Sequence, residues 1–367
     1  MEKGLKELRQ EVLETDVCTA CGTCVSLCPD IISIEDRIAA IGNCDIDSGR
    51  CYRYCPRTEA SPEIGKRLFG DVNYGGEVGP YLDYCSGRST LSGGDGDFQY
   101  GGVVSALMLQ AMGDGWINKA VVTKAVANFP LPMTADDRQG ILEARRSKFA
   151  MAPANKEVNR SAAIPSNQVG VVGLPCQATG SRKRQLMPRE DGIPEGSIVL
   201  NIGLFCTWAL SQQGWRCLLR KYVGDETVQR IDIPPPPANV MEIRVGEKKR
   251  VLSLDEVRNF IRPACQVCLD MTAENTDLSV GMVEGWEGYN TIIVRTELGR
   301  SLLSRAVESG AIQIESLDGE RWKHLNEASL NKKKRAISEA EKRGDSLPYY
   351  RRMLSLKEKI WRGKANP

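Results

Sequence analysis

The sequence contains a single histidine, His324, among 367 residues. Zinc hydrolase sites and the Ser-His-Asp and Cys-His catalytic arrangements need histidine beside the reacting groups. One histidine near the end of the chain therefore argues against these classes of enzyme. We expect any chemistry to come from cofactors that the protein binds and positions.

Long apolar runs are also missing. The longest, at 169–176 and 198–206, are far shorter than the roughly 20 residues of a membrane-spanning helix. Residues 1–16 have the pattern of a charged amphipathic helix and not of a signal peptide, and the net charge of +2 favours no nucleic acid. We expect a cytoplasmic protein with no transmembrane segment, while docking onto a membrane complex from the side stays open.

Cysteine, in contrast, is abundant. The chain has thirteen cysteines, which favour metal sites over disulfides when no secretory signal is present. Four of them follow the bacterial ferredoxin pattern C-x2-C-x2-C-x3-C-P, at Cys18, Cys21, Cys24 and Cys28. A zinc site would place C-x2-C pairs further apart, so this spacing predicts an iron–sulfur cluster.

An imperfect repeat of this motif follows, with Ser48 at the position of Cys21. In paired ferredoxin motifs the last cysteine of each run binds the other cluster. The first cluster is then expected on Cys18, Cys21, Cys24 and Cys55, and the second on Cys28, Cys44 and Cys51. The second lacks a fourth cysteine: an oxygen of Asp45, Asp47 or Ser48 could replace it, the cluster could lack one iron, or the cysteines could be structural.

Further cysteines lie in the central part of the chain. Cys176 and Cys206 each end an apolar run typical of a buried strand, and Cys265 and Cys268 form a C-x2-C pair. The carboxyl ends of strands are where open α/β sheets build their sites. The four thiols could hold a third cluster, but the spacing equally allows buried structural cysteines or a redox-active pair.

The alternation of strand and helix patterns predicts an α/β (α+β) fold in three parts. Residues 1–65 are predicted as a ferredoxin-like domain with a hairpin at 31–43, residues 66–325 as the core, and 326–367 as a charged helical tail. The proline- and glycine-punctuated segment 57–90 is predicted to be mostly linker. The tail is either a solvated helix or a docking segment.

A glycine-rich stretch, residues 92–102, precedes an apolar helix pattern. Free backbone N–H groups at a helix start suit a phosphate, although a flexible surface loop fits the composition as well. The spacing is not that of the dinucleotide-binding fingerprint.

Together with the paired cysteine motifs, several blocks make the chain resemble the beta-subunit family of coenzyme F420 hydrogenases and dehydrogenases, over about residues 15–305. The blocks are Gly101–Leu107, Ser147–Phe149, Gly173–Gln177, Gly203–Cys206, Cys265–Asp270, Asp277–Gly281 and Ile293–Thr296. The resemblance implies a flavoprotein core that binds FAD, two to three [4Fe-4S] clusters with the third on Cys176, Cys206, Cys265 and Cys268, and coenzyme F420 or another hydride carrier as a diffusible substrate.

The resemblance also implies residue roles. Gly101, Gly102 and Ser105 would contact FAD phosphates, with Ser147, Lys148 and Arg262 as further cofactor contacts. Lys148 is the candidate catalytic group, since a cation beside the flavin stabilises its reduced anion. Partners would be other subunits of a redox complex, such as a hydrogenase, formate dehydrogenase, heterodisulfide reductase or respiratory-type complex. Two alternatives remain: a ferredoxin-dependent reductase of an organic substrate, and an electron-transfer adaptor that uses another carrier.

Overall fold

The computed structural model describes residues 3–58, 68–69, 76–91, 98–186, 197–235 and 237–344. Most of the predicted glycine-rich stretch, residues 92–97, and the end of the predicted tail, residues 345–367, lie outside the described residues. Within the described part, no helix is both long and apolar enough to cross a membrane.

The strands are β1 (Ile31–Ile34), β2 (Arg37–Ala40), β3 (Asp83–Ser89), β4 (Lys119–Val126), β5 (Phe129–Ala135), β6 (Val169–Gly173), β7 (Ile198–Leu204), β8 (Arg230–Asp232), β9 (Val240–Val245), β10 (Lys248–Ser253), β11 (Leu278–Met282), β12 (Asn290–Val294) and β13 (Ile312–Glu315).

The α-helices are α1 (Leu5–Leu8), which continues as a π-helical turn over Arg9–Leu13, α2 (Arg50–Arg53), α3 (Val103–Gly113), α4 (Arg138–Glu143), α5 (Asn155–Ala162), α6 (Pro175–Leu186), α7 (Gln212–Tyr222), α8 (Leu254–Arg258), α9 (Pro263–Gln266), α10 (Glu297–Glu308) and α11 (Gly319–Arg343).

An eight-stranded mixed sheet forms the core, in the order β13-β3-β12-β11-β7-β6-β4-β5. Its centre is parallel, because β4, β6, β7 and β11 run in one direction. The flanking strands β5, β12, β3 and β13 are antiparallel to their neighbours. The α/β class predicted from the sequence is confirmed, and both edges of the sheet are antiparallel.

Helices cover both faces of this sheet. On one face α3 and α10 pack over Val122 of β4 and Ile292 of β12. On the other face α5 packs over Val121 of β4 and Val171 of β6. Burial on both sides explains the short continuous apolar runs of the central strands.

The prediction of a linker at 57–90 is wrong for Asp83–Ser89, because these residues form β3, which lies inside the large sheet between β12 and β13. Its sequence hides the strand, since the buried positions include Ser86 and Gly87 and not the usual branched apolar residues. A β-carbon on Gly87 would lie 2.8 Å from a methyl group of Ile292. Close packing against β12 therefore selects a residue with no strand preference of its own.

The cysteine-rich N-terminal segment packs against the end of α11. The predicted hairpin at 31–43 is confirmed as β1 paired with β2. Leu5, Leu8 and Val12 share an apolar cluster with Ala336 and Ala340 of α11. This helix crosses residue 326, the predicted start of the tail, without a break. Lys332 and Lys333 are 3% and 7% exposed, so this part of the predicted charged tail is not solvated.

Candidate functional site

A cavity of about 740 Å³ opens at the carboxyl ends of the parallel strands. Gly173, Leu204 and Met282, the final residues of β6, β7 and β11, all line it. Its volume lies in the range of roughly 300–1,000 Å³ that is typical of small-molecule and cofactor sites. The position is the one where α/β sheets bind their ligands.

The start of α3 forms one wall of this cavity, where Gly102 and Ser105 both lie. Gly102 has a φ of 72°, and a β-carbon there would lie 2.9 Å from the ring of Phe98. Asn290 accepts a hydrogen bond from the Val103 amide at 3.3 Å and donates to Gly281 O at 3.0 Å. It thereby fixes the helix start against β11, while the next amides of the first turn are donors that a helix cannot satisfy internally.

Gly101 is not part of the wall. A β-carbon at this position would lie 2.8 Å from both Asn290 Oδ1 and Gly87 O. The structure therefore gives Gly101 a packing role between α3 and the large sheet.

Ser147 and Lys148 lie on another wall of the same cavity. The Lys148 ammonium donates to the carbonyl oxygens of Ala144, Arg145 and Arg146, at 2.5, 2.7 and 2.8 Å. Burial, and then Arg146, lowers the pKa of Lys148 to about 7, while the three carbonyls favour the charged form. The lysine side chain therefore closes the turn after α4, at the edge of the cavity.

Four cysteines meet beside the cavity. Cys206 lines it directly, Cys176 lies in the first turn of α6, and Cys265 lies in α9. Burial raises the pKa of Cys176, with Cys21 and then Cys268, Cys206 and Cys265 as further causes. The four core cysteines are therefore electrostatic neighbours of one another and of Cys21 in the N-terminal segment.

The N-terminal cysteines form two further groups. Burial raises the pKa of Cys24, with the thiols of Cys18, Cys21, Cys55 and Cys51 as additional causes. Burial raises the pKa of Cys51 to about 11, with Cys28 and Cys44 as the neighbouring thiols. Cys55 therefore lies near the cysteines of the first motif, and Cys28 lies near Cys44 and Cys51.

These groups do not resemble sites for single ions. Within the described ranges, no three His, Cys, Asp or Glu side chains come together in a way that would hold one metal ion.

Buried cations support the cysteine loops. Lys183 donates to Cys55 O at 2.6 Å, and Lys332 donates to Cys206 O at 2.6 Å and Asp270 O at 2.7 Å. Arg262, predicted as a cofactor contact, is not on the cavity wall. It donates to Cys18 O at 3.1 Å and pairs with the buried carboxylate of Asp36, so it joins the N-terminal segment to the core.

Sequence reasoning missed Asn290, Lys183 and Lys332. Each acts on a residue far away in the sequence: Lys183 lies 128 residues from Cys55, and Lys332 lies 126 residues from Cys206. The run of basic residues at 332–335 is the sequence signal for Lys332, and its charge favours a surface position over a buried one.

The fold and the site together define an α/β protein with a cofactor-sized cavity beside groups of neighbouring thiols. Residues 85–159 match the family model for the N-terminal part of the coenzyme F420 hydrogenase/dehydrogenase beta subunit, and residues 166–320 match the model for its C-terminal part. The two models together cover more than half of the sequence. The chain belongs to the coenzyme F420 hydrogenase/dehydrogenase beta-subunit family.

Individual relatives agree with this assignment. The chain is 27% identical over 357 residues to a coenzyme F420-dependent sulfite reductase of Methanocaldococcus jannaschii, covering 93% of this chain but 53% of the relative. It is 29% identical over 248 residues to coenzyme F420 hydrogenase subunit beta of Methanosarcina barkeri, covering 66% of this chain and 84% of the relative. The chain thus spans about half the length of the first and most of the second.

A solved structure supports the fold. One chain of the F420-reducing [NiFe] hydrogenase complex from Methanosarcina barkeri superposes with a TM-score of 0.64 at 26% identity, covering 74% of this chain and 96% of that chain. The named relatives are an oxidoreductase and subunits of oxidoreductases, and this chain belongs to the same family.

Proposed function

We propose that the chain is a flavin- and cluster-carrying subunit of a redox complex. It exchanges a hydride between coenzyme F420 and FAD, and it passes single electrons to or from a partner subunit. FAD supplies the chemistry for this exchange, because a flavin takes two electrons together and releases them one at a time.

The observation that carries this proposal is the continuity of the three cysteine groups. Cys206 lies on the cavity wall, Cys176 neighbours Cys21, and Cys24 neighbours Cys51. Cys28 and Cys44, in the last group, are partly exposed. The thiols therefore lead from a cofactor-sized cavity to the protein surface.

The described residues at the cavity fit an anionic dinucleotide. The amides in the first turn of α3 and the positive end of its dipole suit a phosphate at Gly102 and Ser105. Ser147 offers a hydroxyl, and Lys148 offers positive charge that would stabilise a reduced flavin anion. The largely apolar remainder of the wall would suit the ring system of a flavin.

The cysteine groups fit [4Fe-4S] clusters. Cys18, Cys21, Cys24 and Cys55 would hold the first, Cys28, Cys44 and Cys51 the second, and Cys176, Cys206, Cys265 and Cys268 the third. Lys183 and Lys332 would offset the negative charge of the thiolates. Cluster potentials depend on such charges and on solvent exposure.

A sulfite-reducing partner is one specific form of this proposal. The match to the F420-dependent sulfite reductase covers 93% of this chain, more than the match to the hydrogenase protein. About half of that relative is left unmatched. In this version, a unit that corresponds to the unmatched part of that relative would receive the electrons and reduce the substrate.

The test is anoxic reconstitution of the full chain with iron, sulfide and FAD. We expect tight flavin binding, bleaching of the flavin by reduced coenzyme F420 and not by NADH, and the subsequent appearance of reduced-cluster signals in electron paramagnetic resonance (EPR). Absence of flavin binding would leave only an electron-transfer adaptor. Fewer than about five irons per chain would contradict a multi-cluster protein, since each cubane holds four.

A further inference from the structure

The second N-terminal cysteine group, Cys28, Cys44 and Cys51, differs from the other two in having three thiols. One hydrogen bond and one shared apolar cluster keep these three cysteines close to one another. Arg50, next to Cys51, donates to Leu27 O, next to Cys28, at 3.2 Å. All three cysteines contact one apolar cluster, and Cys28 and Cys44 are the thiols that neighbour Cys51.

The loop between Cys44 and Cys51 is fixed in place. The Gly49 amide donates to Lys3 O at 3.1 Å. A β-carbon on Gly4 would lie 2.1 Å from Ile46 O and one on Gly49 would lie 2.9 Å from the Gly4 Cα. The loop therefore packs backbone to backbone on the N-terminal segment, which limits how far it can move to bring in another ligand.

Ser48 takes the position that a cysteine has in the first motif. Its hydroxyl oxygen accepts a hydrogen bond from Arg53 Nη2 at 2.6 Å. A hydroxyl oxygen has two lone pairs, and the guanidinium occupies one of them. The bond therefore holds Ser48 toward Arg53 and competes with any bond from this oxygen to iron.

Two of the nearby carboxylates are exposed, and a third lies beside Cys28. Asp45 and Asp47 are exposed, whereas the thiols are buried or half-buried. Asp30 Oδ2 lies 4.0 Å from Cys28 Sγ, but its carboxylate packs against Gly42, where a β-carbon would lie 2.0 Å from Oδ1. It sits beside Cys28, on the hairpin side of the group.

We propose that Cys28, Cys44 and Cys51 form a three-thiolate iron–sulfur site with one iron position that the protein leaves to water, so that this iron is exchangeable. The inference rests on the proposed function, which places a cluster at these cysteines. The partial exposure of Cys28 and Cys44 puts the open position within reach of solvent.

The consequence is a defined iron exchange. A one-electron oxidant such as ferricyanide takes one electron from a four-iron cluster at this site and is reduced to ferrocyanide. The iron without a protein ligand then leaves as Fe²⁺, and three irons remain on the three thiolates. Dithionite and added Fe²⁺ reverse both changes. We expect clusters with four thiolates to keep more of their iron under the same mild oxidation, because every iron there has a protein ligand.

The experiment compares the reconstituted full chain with two variants at one position. Ser48→Cys supplies the fourth thiol, and Ser48→Ala removes the hydroxyl and its bond to Arg53 without adding a ligand. We expect the unchanged chain and Ser48→Ala to release about one Fe²⁺ per chain and to show the EPR signal of an oxidised three-iron cluster. Ser48→Cys should retain its iron and show no such signal.

Two results would contradict the proposal that one iron has no protein ligand. One is iron retention in the unchanged chain that is lost in Asp30→Asn, Asp45→Asn or Asp47→Asn, which would make a carboxylate the ligand. The other is iron release that Ser48→Cys does not suppress. A chain that takes up no N-terminal clusters at all, counted by Mössbauer spectroscopy, would instead contradict the proposed function.

Discussion

At the scale of single residues, buried lysines place positive charge beside the cysteine loops. Lys183 is fully buried, and its ammonium donates to Cys55 O at 2.6 Å and Thr58 Oγ1 at 3.1 Å. Burying an ammonium is costly unless it is hydrogen-bonded and near negative charge. With the proposed cluster bound, the thiolates of the first cysteine group would provide that charge. Burial raises the pKa of Cys55 to about 12, and Lys183 is one of the groups that oppose this rise.

This arrangement predicts that Lys183 sets the potential of a cluster on the first cysteine group. Lys183→Met keeps the size of the side chain and removes its charge, so the reduced cluster loses stabilisation. We expect its reduction potential to fall by on the order of 60 mV, equivalent to about 1.4 kcal/mol for one electron. An EPR-monitored redox titration measures the shift.

Lys221→Met is the matched control, because this lysine is 59% exposed and pairs with Glu256 on the surface. It should leave the potential unchanged. Equal potentials for Lys183→Met and the unchanged chain would show that Lys183 only braces the Cys55 loop.

Site residues could be predicted from the sequence where they form a motif of short, fixed spacing. The cysteines of the first motif are grouped in the structure because a short loop turns their side chains to one side. Lys183 and Asn290 could not be predicted, since each meets its partner through the tertiary fold. The charge of Arg262 suits a cofactor, but the structure directs that charge to Asp36 and Cys18.

At the scale of elements, α3 joins the cavity to the core, and its two end glycines have opposite environments. Gly102 has a φ of 72°, and a β-carbon on it would lie 2.9 Å from the Phe98 ring. A β-carbon on Gly113 would meet no atom within 4 Å. We expect Gly102→Ala to destabilise the protein by about 1–2 kcal/mol, because a left-handed backbone disfavours a β-carbon. It should also weaken FAD binding at the helix start.

Gly113→Ala is the control in the same helix, and it should stabilise the protein by about 0.5–1 kcal/mol through helix propensity. Thermal unfolding measures both effects, and equilibrium dialysis measures the flavin. If both variants destabilised the protein equally, the special backbone of Gly102 would not be the cause.

Helix α11 shows what the sequence pattern conceals. Arg321, Leu325 and Ala328 line the cavity, Lys332 contacts the Cys206 loop, and Ala336 packs on the N-terminal segment. Steps of three and four residues place all of them along one face. The helical pattern was predictable, but a face that mixes arginine, lysine and alanine has no apolar periodicity to mark it as buried.

At the scale of the whole molecule, the cysteine groups lie in series between the cavity and the surface. The core group borders the cavity through Cys206, and the first N-terminal group adjoins it through Cys21. The α/β class followed from the sequence, whereas the spacing of the four core cysteines left their role open. The spatial order of the cysteine groups could not be predicted from the sequence, because it depends on the strand order of the sheet and on where α11 packs.

This order makes Cys206 the entry from the cavity, and Cys206→Ser tests it. The variant should still bind FAD and bleach with reduced coenzyme F420. Because the core cluster would lose a thiolate, reduction of the N-terminal clusters through the flavin should slow by about tenfold or more, or about 1.4 kcal/mol in barrier. Freeze-quench EPR follows those signals.

Cys217→Ser, at an exposed cysteine on α7, is the control and should transfer electrons at the unchanged rate. Equal rates in both variants would mean that electrons leave the cavity by another route.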